Sequence, residues 1–337
     1  MEKLKVALVG AGGISQIFRI PALQNIENVE LVALCDVDEG KVGFIAKKYE
    51  IKNVYYDIEN MLRKETLDGI FICTPNNFHY PMALATLEKK IPTFVEKPIA
   101  LNQEQAERLA EKANKAKVPL VMGSSNRFRD DAIILKDFLN KNELGDPFYI
   151  KTGWLRHWNL EPQQNWLFDK RISGGGVMMD IGIQLIDLSL WMLDKPKVKN
   201  VRSFHFNIFT KDGVEDSAMA VLQTENNVVI TVEVAWRMHL EKDMHYTHVF
   251  GKQGSAFLNP LRLFKDMHGN LVNVTPVHST ASADIFKSAF AVEIHNFLEV
   301  IRGKSNPVTP AEDGIYLMRI IDAIYKSAEQ GVQIDLE

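Results

Sequence analysis

Over its first 122 residues the chain alternates short apolar runs with polar stretches of helical spacing. The runs KVALVG, VELVALCD, GIFICTP, PTFVEKP and VPLVMG are rich in Val, Ile, Leu and Phe, the make-up of strands covered on both faces. Between them lie helical stretches. The clearest is Asn102–Lys117, polar at its start and basic at its end, as a helix dipole favours. Strand and helix in alternation predict an α/β domain over residues 1–122, built on an open, doubly wound parallel sheet. Beyond Gly145 the pattern changes. DPFYIKTGWLRHW, KVKNVRSFHFNIFT, AMAVLQTENNVVITVEVAWR and TPVHST read as strands, with Asn226 and Asn227 at a hairpin turn. Two helices follow, around FAVEIHNFLEVIRG and AEDGIYLMRIIDAIYKSAEQG, in a second domain over residues 123–337.

The segment SGGGVMMDIGIQLIDLSLWML (Ser173–Leu193) mixes the two kinds of residue on one element. Three glycines open a helix in which Asp180, Gln184 and Asp187 recur at i, i+4 and i+7, hence on one face. Val177, Ile181, Leu185 and Leu188 surround them, so the polar stripe belongs to an otherwise buried helix. Burying polar groups is costly unless they are satisfied or used. The stripe is expected to face a substrate pocket.

Composition narrows the classes. The 337 residues suffice for two ordinary domains, and 46% hydrophobic with 24% charged residues describes a folded globular chain. A net charge of −4 offers no basic surface for nucleic acid. No run of about 18 apolar residues suggests a membrane span, and no repeat is evident. The first apolar run passes directly into a glycine turn, unlike a secretory signal. Cys35 and Cys73 lie in apolar runs and are expected to be buried, reduced thiols, which suits a cytoplasmic protein.

The chemistry-bearing residues gather where strands end. The first strand runs into GAGGIS, where Gly10 and Gly12 match the first two positions of the dinucleotide fingerprint and Gly13 and Ile14 continue the turn. Such glycines let the backbone approach a pyrophosphate at a helix N-terminus. The third fingerprint position is Ser15, where Gly or Ala is usual. The second strand ends at Asp36, placed to accept hydrogen bonds from the adenosine ribose and to repel a 2′-phosphate. NAD is therefore expected in preference to NADP. Thr74, Pro75, Asn76 and His79 follow one strand, and Glu96, Lys97 and Pro98 another, at the edge where open α/β sheets bind ligands. Pro98 restricts Lys97 to an extended backbone, which gives its side chain a defined direction. No histidines are spaced with cysteines or carboxylates as metal ligands, so no metal is expected. Without a GxSxG turn there is no sign of a serine nucleophile.

Together these motifs resemble the glucose–fructose oxidoreductase / inositol dehydrogenase family, Gfo/Idh/MocA. The match takes in the glycine turn, TPNNFH, EKP, GSSNRF (Gly123–Phe128), the glycine-opened helix and the final RIIDAIYKSAEQGVQIDL, nearly the whole chain. The resemblance implies a Rossmann domain, then an α/β domain on a large, mainly antiparallel sheet, with such sheets pairing into homodimers or homotetramers. It implies that Gly10, Gly12, Gly13, Ile14, Asp36, Thr74, Pro75, Asn76, His79, Glu96 and Lys97 hold the cofactor. It places the helix carrying Asp180 along the substrate pocket, and Arg127, His157, Asn165 and Trp166 in the substrate wall. The family pattern has a histidine four residues after the aspartate, as catalytic acid or base. Here Gln184 stands in that position. An amide cannot take up the proton, so the expectation is that Lys97 does, while Gln184 orients the reacting group and Asp180 holds the substrate. His157 is a second candidate base.

The function implied is an NAD-dependent oxidoreductase that moves a hydride between nicotinamide and a hydroxyl or keto carbon of a sugar, sugar derivative or cyclitol. The absent histidine keeps open a non-catalytic NAD-binding sensor. A redox-neutral epimerase or lyase with retained NAD is the other alternative.

Overall fold

The computed structural model describes residues 3–157, 166–210, 213–277 and 282–336. They form two units: Met1–Ser125 with Lys287–Met318, and Asn126–Phe286 with Arg319–Glu337. The chain therefore does not divide at a single point after residue 122. It returns to the first unit near its end, and both late crossings fall inside long helices.

The first unit runs β1 (Leu4–Val9), α1 (Ile20–Gln24), β2 (Val29–Cys35), α2 (Glu39–Lys48), β3 (Asn53–Tyr55), α3 (Ile58–Lys64), β4 (Gly69–Ile72), α4 (His79–Glu88), β5 (Thr93–Val95), α5 (Gln103–Ala116) and β6 (Leu120–Met122). The strands are all parallel, in the order β3-β2-β1-β4-β5-β6. Their apolar runs pack on both faces, and Phe71 and Phe94 meet Phe297 of the returning segment at 5.2 and 5.6 Å between ring centres. Asp38, Asp57 and Asn102 each accept a backbone N–H and so start α2, α3 and α5. Strand order reverses around β1, which opens a crevice at the carboxyl edge. The register levels that edge: Val9 lies beside Cys35 and Ile72, Ile72 beside Val95, and Val95 beside Met122. Gly10, Asp36, Cys73, Glu96 and Gly123 all leave the sheet at one height.

The second unit contains α6 (Asp130–Asn140), β7 (Pro147–His157), α7 (Lys170–Ser173), α8 (Ile183–Met192), β8 (Val198–Phe206), β9 (Ser217–Thr224), β10 (Val229–Met238), β11 (Met244–Gly251), β12 (Gly254–Leu258), β13 (Arg262–Met267) and β14 (Asn270–Asn273). Helices α9 (Ser282–Ile301) and α10 (Ala311–Gln330) carry the two crossings, and β15 (Ile334–Asp335) closes the chain. Nine strands make one sheet, β14-β13-β12-β11-β7-β10-β9-β8-β15, antiparallel except for β7 beside β10. Alternation gives it a core face, with Ile150, Ala220, Leu222, Ile230, Val232 and Val234 buried, and α8 packs on β7 and β10. The hairpin at Asn226–Asn227 joins β9 to β10 with Asn227 at φ +62°, as asparagine permits. TPVHST does not extend the sheet: Thr275–Val277 is irregular, and the last three residues lie outside the described ones. No helix among the described residues is long and apolar enough to cross a membrane.

Candidate active site

At the levelled edge of the first unit, Gly10 has φ +95°, and a Cβ there would stand 2.4 Å from the Cys73 carbonyl oxygen. Only glycine fits. The departure at Ser15 has a local cause, since its hydroxyl donates to the Gly10 carbonyl across a π-helical turn, Ser15–Arg19. Asp36 is fixed rather than swinging free. One carboxylate oxygen accepts the Ala11 N–H at 2.7 Å; the other accepts the Asp38 N–H at 2.9 Å and lies 3.2 Å from the Lys41 ammonium. Three observations fit a dinucleotide here. The Gly10 turn lets backbone approach backbone, side-chain space above Gly12 and Gly13 is empty to 4 Å, and the Thr74 hydroxyl is buried without a hydrogen-bond partner, all among the described residues. Ile14 presents an exposed apolar side chain beside that space. Pro75 and the buried Asn76 begin the short turn into α4.

Two expected cofactor residues have other partners. His79 is 1% exposed, with Nδ1 2.6 Å from the Pro98 carbonyl and Nε2 2.8 Å from the Thr74 carbonyl. Both ring nitrogens are turned inward, and His79 ties two strand-end loops together. Burial draws its pKa below the ordinary value, while the two carbonyls and Glu96 pull the other way. Glu96 accepts from Arg19 Nε at 2.7 Å. The same guanidinium reaches Glu293 of α9 at 2.6 Å and lies between the rings of Phe94 and Phe290. Glu293 in turn accepts the Ser124 N–H at 2.5 Å, and burial pushes its pKa up to about 7 against the pull of Arg19. Lys97 follows Glu96 directly and is half-buried. Arg19 and Glu293 carry no signal in the sequence because each sits in an apolar helical stretch, where one charged residue reads as a solvated face. Both thiols are free, and burial raises their pKa values, that of Cys35 to about 12.

In the second unit the three glycines do not simply begin a helix. Gly174 caps α7 at φ +82°. A Cβ on Gly175 would lie 1.9 Å from the Tyr325 hydroxyl, and one on Gly176 1.9 Å from the Glu215 carbonyl. These close approaches bring in Glu215, whose carboxylate accepts the N–H groups of Gly176 and Met178 and the Tyr325 hydroxyl. It thereby anchors the start of the next helical segment, although burial raises its pKa. That segment opens with a π-helical turn, Met178–Gly182, before α8. A π-turn holds an extra residue, so the simple i, i+4, i+7 face does not run through it.

The polar stripe accordingly splits. Asp187 is 2% exposed and pairs with Arg127 through two contacts, at 2.9 and 2.5 Å. That buried pair gives both residues a structural use: Asp187, expected on the pocket face, and Arg127, expected in the substrate wall, hold each other beneath the surface. Asp180 and Gln184 are half-buried. The Trp236 indole N–H donates to Asp180 at 3.0 Å, and the Asn126 amide donates to the Gln184 carbonyl at 3.2 Å. Trp236 also meets Phe168 edge to face at 5.2 Å. No motif marks Trp236, and GSSNRF holds Asn126 without naming its partner, since the partners lie 56 and 58 residues away along the chain. Trp166 begins the short turn that carries Phe168. His157 ends β7, its Nδ1 donating to the Leu240 carbonyl and its backbone N–H to Asp243. Asn165 lies outside the described residues. Among them, no group of three or more His, Cys, Asp or Glu is arranged to hold a metal ion.

A parallel sheet with this strand order and this edge, joined to a nine-stranded mixed sheet, is a two-domain α/β architecture with a nucleotide-binding edge. Two family profiles agree: "Oxidoreductase family, NAD-binding Rossmann fold" over residues 4–124, and "Oxidoreductase family, C-terminal alpha/beta domain" over residues 136–336. The chain belongs to the Gfo/Idh/MocA oxidoreductase family, and its first unit is the NAD-binding domain. Similar curated proteins include D-glucoside 3-dehydrogenase of Escherichia coli, 27% identical over 99% of this chain and 97% of its own. Another is myo-inositol 2-dehydrogenase of Thermotoga maritima, 23% identical over 99% of both. An oxidoreductase from Agrobacterium radiobacter, solved with NAD+, L-tartaric acid and magnesium, superimposes with a TM-score of 0.88 at 19% identity, covering 99% of this chain and 98% of its own.

Proposed function

We propose that the protein is a dehydrogenase or reductase acting on a hydroxyl or keto carbon of a sugar, sugar derivative or cyclitol, with Lys97 as its acid/base. The relatives named for glucoside and inositol oxidation support the substrate class. The carrying observation is the position of Lys97. It leaves β5 one residue past Glu96, level with the glycine turn and with Asp36, on the edge that belongs to the cofactor.

When bound, NAD supplies the hydride acceptor or donor. Gly10, Gly12 and Gly13 would hold its phosphates, Asp36 the adenosine ribose, and Thr74 a further polar group through its unpartnered hydroxyl. Lys97 takes the hydroxyl proton during oxidation and returns it during reduction. Gln184 can hydrogen-bond the reacting oxygen but cannot carry its proton. Asp180, fixed by Trp236, accepts a substrate hydroxyl.

The test is absorbance of reduced nicotinamide, with NAD and with NADP, across sugars, sugar phosphates, nucleotide sugars and inositols. Turnover is expected with NAD, and Lys97→Ala should lower it by about 10²–10⁴-fold, the usual contribution of a positioned acid/base. A variant that keeps near-wild-type turnover would remove Lys97 from that role. The Asn126–Gln184 bond favours a second reading, a non-catalytic sensor, because it gives the glutamine a structural use. Silence across the panel while NAD still binds would favour it; silence with NAD retained through purification would favour a redox-neutral epimerase or lyase.

A further inference from the structure

We infer that His79 is held as a buried imidazolium, and that its second proton locks together the two loops that leave β4 and β5, making His79 a positioning residue for the cofactor edge. The geometry is one ring between two acceptors. Nδ1 lies 2.6 Å from the Pro98 carbonyl oxygen and Nε2 lies 2.8 Å from the Thr74 carbonyl oxygen. A carbonyl only accepts, and a neutral imidazole has one N–H. In the neutral ring one nitrogen lone pair would therefore face an oxygen lone pair at under 3 Å. With both nitrogens protonated, each contact is a charge-assisted hydrogen bond.

Burial opposes this charge. The two carbonyl contacts and Glu96 act against burial. Glu96, on the same loop as Pro98, acts on the ring with negative charge, and Lys97 beside it acts with positive charge. Glu96 also shares Arg19 with Glu293. With both carboxylates ionised, those two negative charges face both Arg19 and Lys97, so what favours a cation at His79 is the pair of carbonyl contacts on its ring nitrogens.

The consequence is mechanical. Thr74 carries the unpartnered hydroxyl proposed to meet the cofactor, and Pro98 follows Lys97. One proton fixes both backbones at once. The effect on cofactor binding follows from the NAD-binding domain alone; the effect on turnover rests on the assignment of Lys97 as acid/base.

Two measurements on the full chain decide it. The first is ¹⁵N NMR of histidine-labelled wild type at pH 7.5, with the His79 signals assigned by their loss in His79→Asn. Two protonated ring nitrogens are expected; one protonated and one lone-pair nitrogen would overturn the proposal. The second is NADH affinity from pH 6 to 10, read by energy transfer from protein tryptophan to bound NADH. Wild-type affinity should weaken by about tenfold, the scale of one lost hydrogen bond, at the pH where the His79 resonances titrate. His79→Asn should bind more weakly at pH 7.5 and lack that step. Affinity that ignores the His79 titration would overturn the positioning role, even with the cation present. If His79→Asn fails to fold, the ring nitrogen that titrates in step with wild-type NADH affinity identifies it. Should both measurements agree while Lys97→Ala retains turnover, the clamp stands and the acid/base assignment falls.

Discussion

At Glu293 a single carboxyl group couples the fold to pH. Its pKa in the folded chain is pushed up to about 7 from an ordinary value of 4.5, first by burial and against the pull of Arg19. A raised folded-state pKa means the folded chain binds the proton more tightly than the unfolded one. The resulting stability is complete below about pH 4.5 and is lost as pH rises through about 7. Wild type should therefore show a falling melting midpoint across that interval, beyond whatever slope other groups contribute. Glu293→Gln, which can still accept the Ser124 N–H, should flatten that part of the curve; parallel wild-type and variant curves would deny Glu293 this role. Gly10 sets a different constraint. With φ +95° and the Cys73 carbonyl 2.4 Å from any Cβ, Gly10→Ala should destabilise by about 2–4 kcal/mol, from left-handed strain plus a backbone collision, and lower the melting midpoint accordingly.

Among elements, those with strong local periodicity were legible from sequence and those defined by distant partners were not. The parallel strands and α5 announce themselves through apolar runs, helix polarity and caps. So does the Asn226–Asn227 hairpin. The Ser173–Leu193 segment reads as one helix because its apolar spacing is helical. Its helix breaks at Gly174, and the stretch from Gly175 to the π-turn is held by Tyr325 and Glu215, which sit far along the chain. The same cause hid the Arg127–Asp187 pair, 60 residues apart. For this segment, Trp236 of β10, which reaches Asp180, offers a clean test. Trp236→Phe removes the indole N–H that reaches Asp180 and keeps a ring beside Phe168. Loss of a hydrogen bond to a carboxylate is worth about 1.5–3 kcal/mol. A fall of tenfold or more in kcat/KM on a substrate found by the panel is expected, with the melting midpoint little changed. An unaltered kcat/KM would mean that Asp180 does not depend on this bond.

For the whole molecule, the face of the nine-stranded sheet opposite its core is the main unanswered surface. Phe204 and Met219 are neighbours in register on β8 and β9 and are 44% and 39% exposed. Tyr149, Phe250, Phe257 and Phe264 continue a contact ladder across β7, β11, β12 and β13, with ring centres 5.7–6.1 Å apart. Aromatic residues grouped in this way mark a contact surface. Light scattering behind size-exclusion chromatography should give the mass of a homodimer or homotetramer, and Phe204→Glu with Met219→Glu should reduce it; a wild-type monomer would leave the ladder without a partner. The return of the chain to its first unit has a consequence in time. Ile294, Phe297 and Leu298 share a core with Val6, Leu8 and Phe71, so strands that leave the ribosome first wait for a helix made almost last. During synthesis the nucleotide domain is an unfinished half, open on the side that Phe297 will fill. A nascent chain stalled before residue 287 would hold that half exposed, a natural client for chaperones.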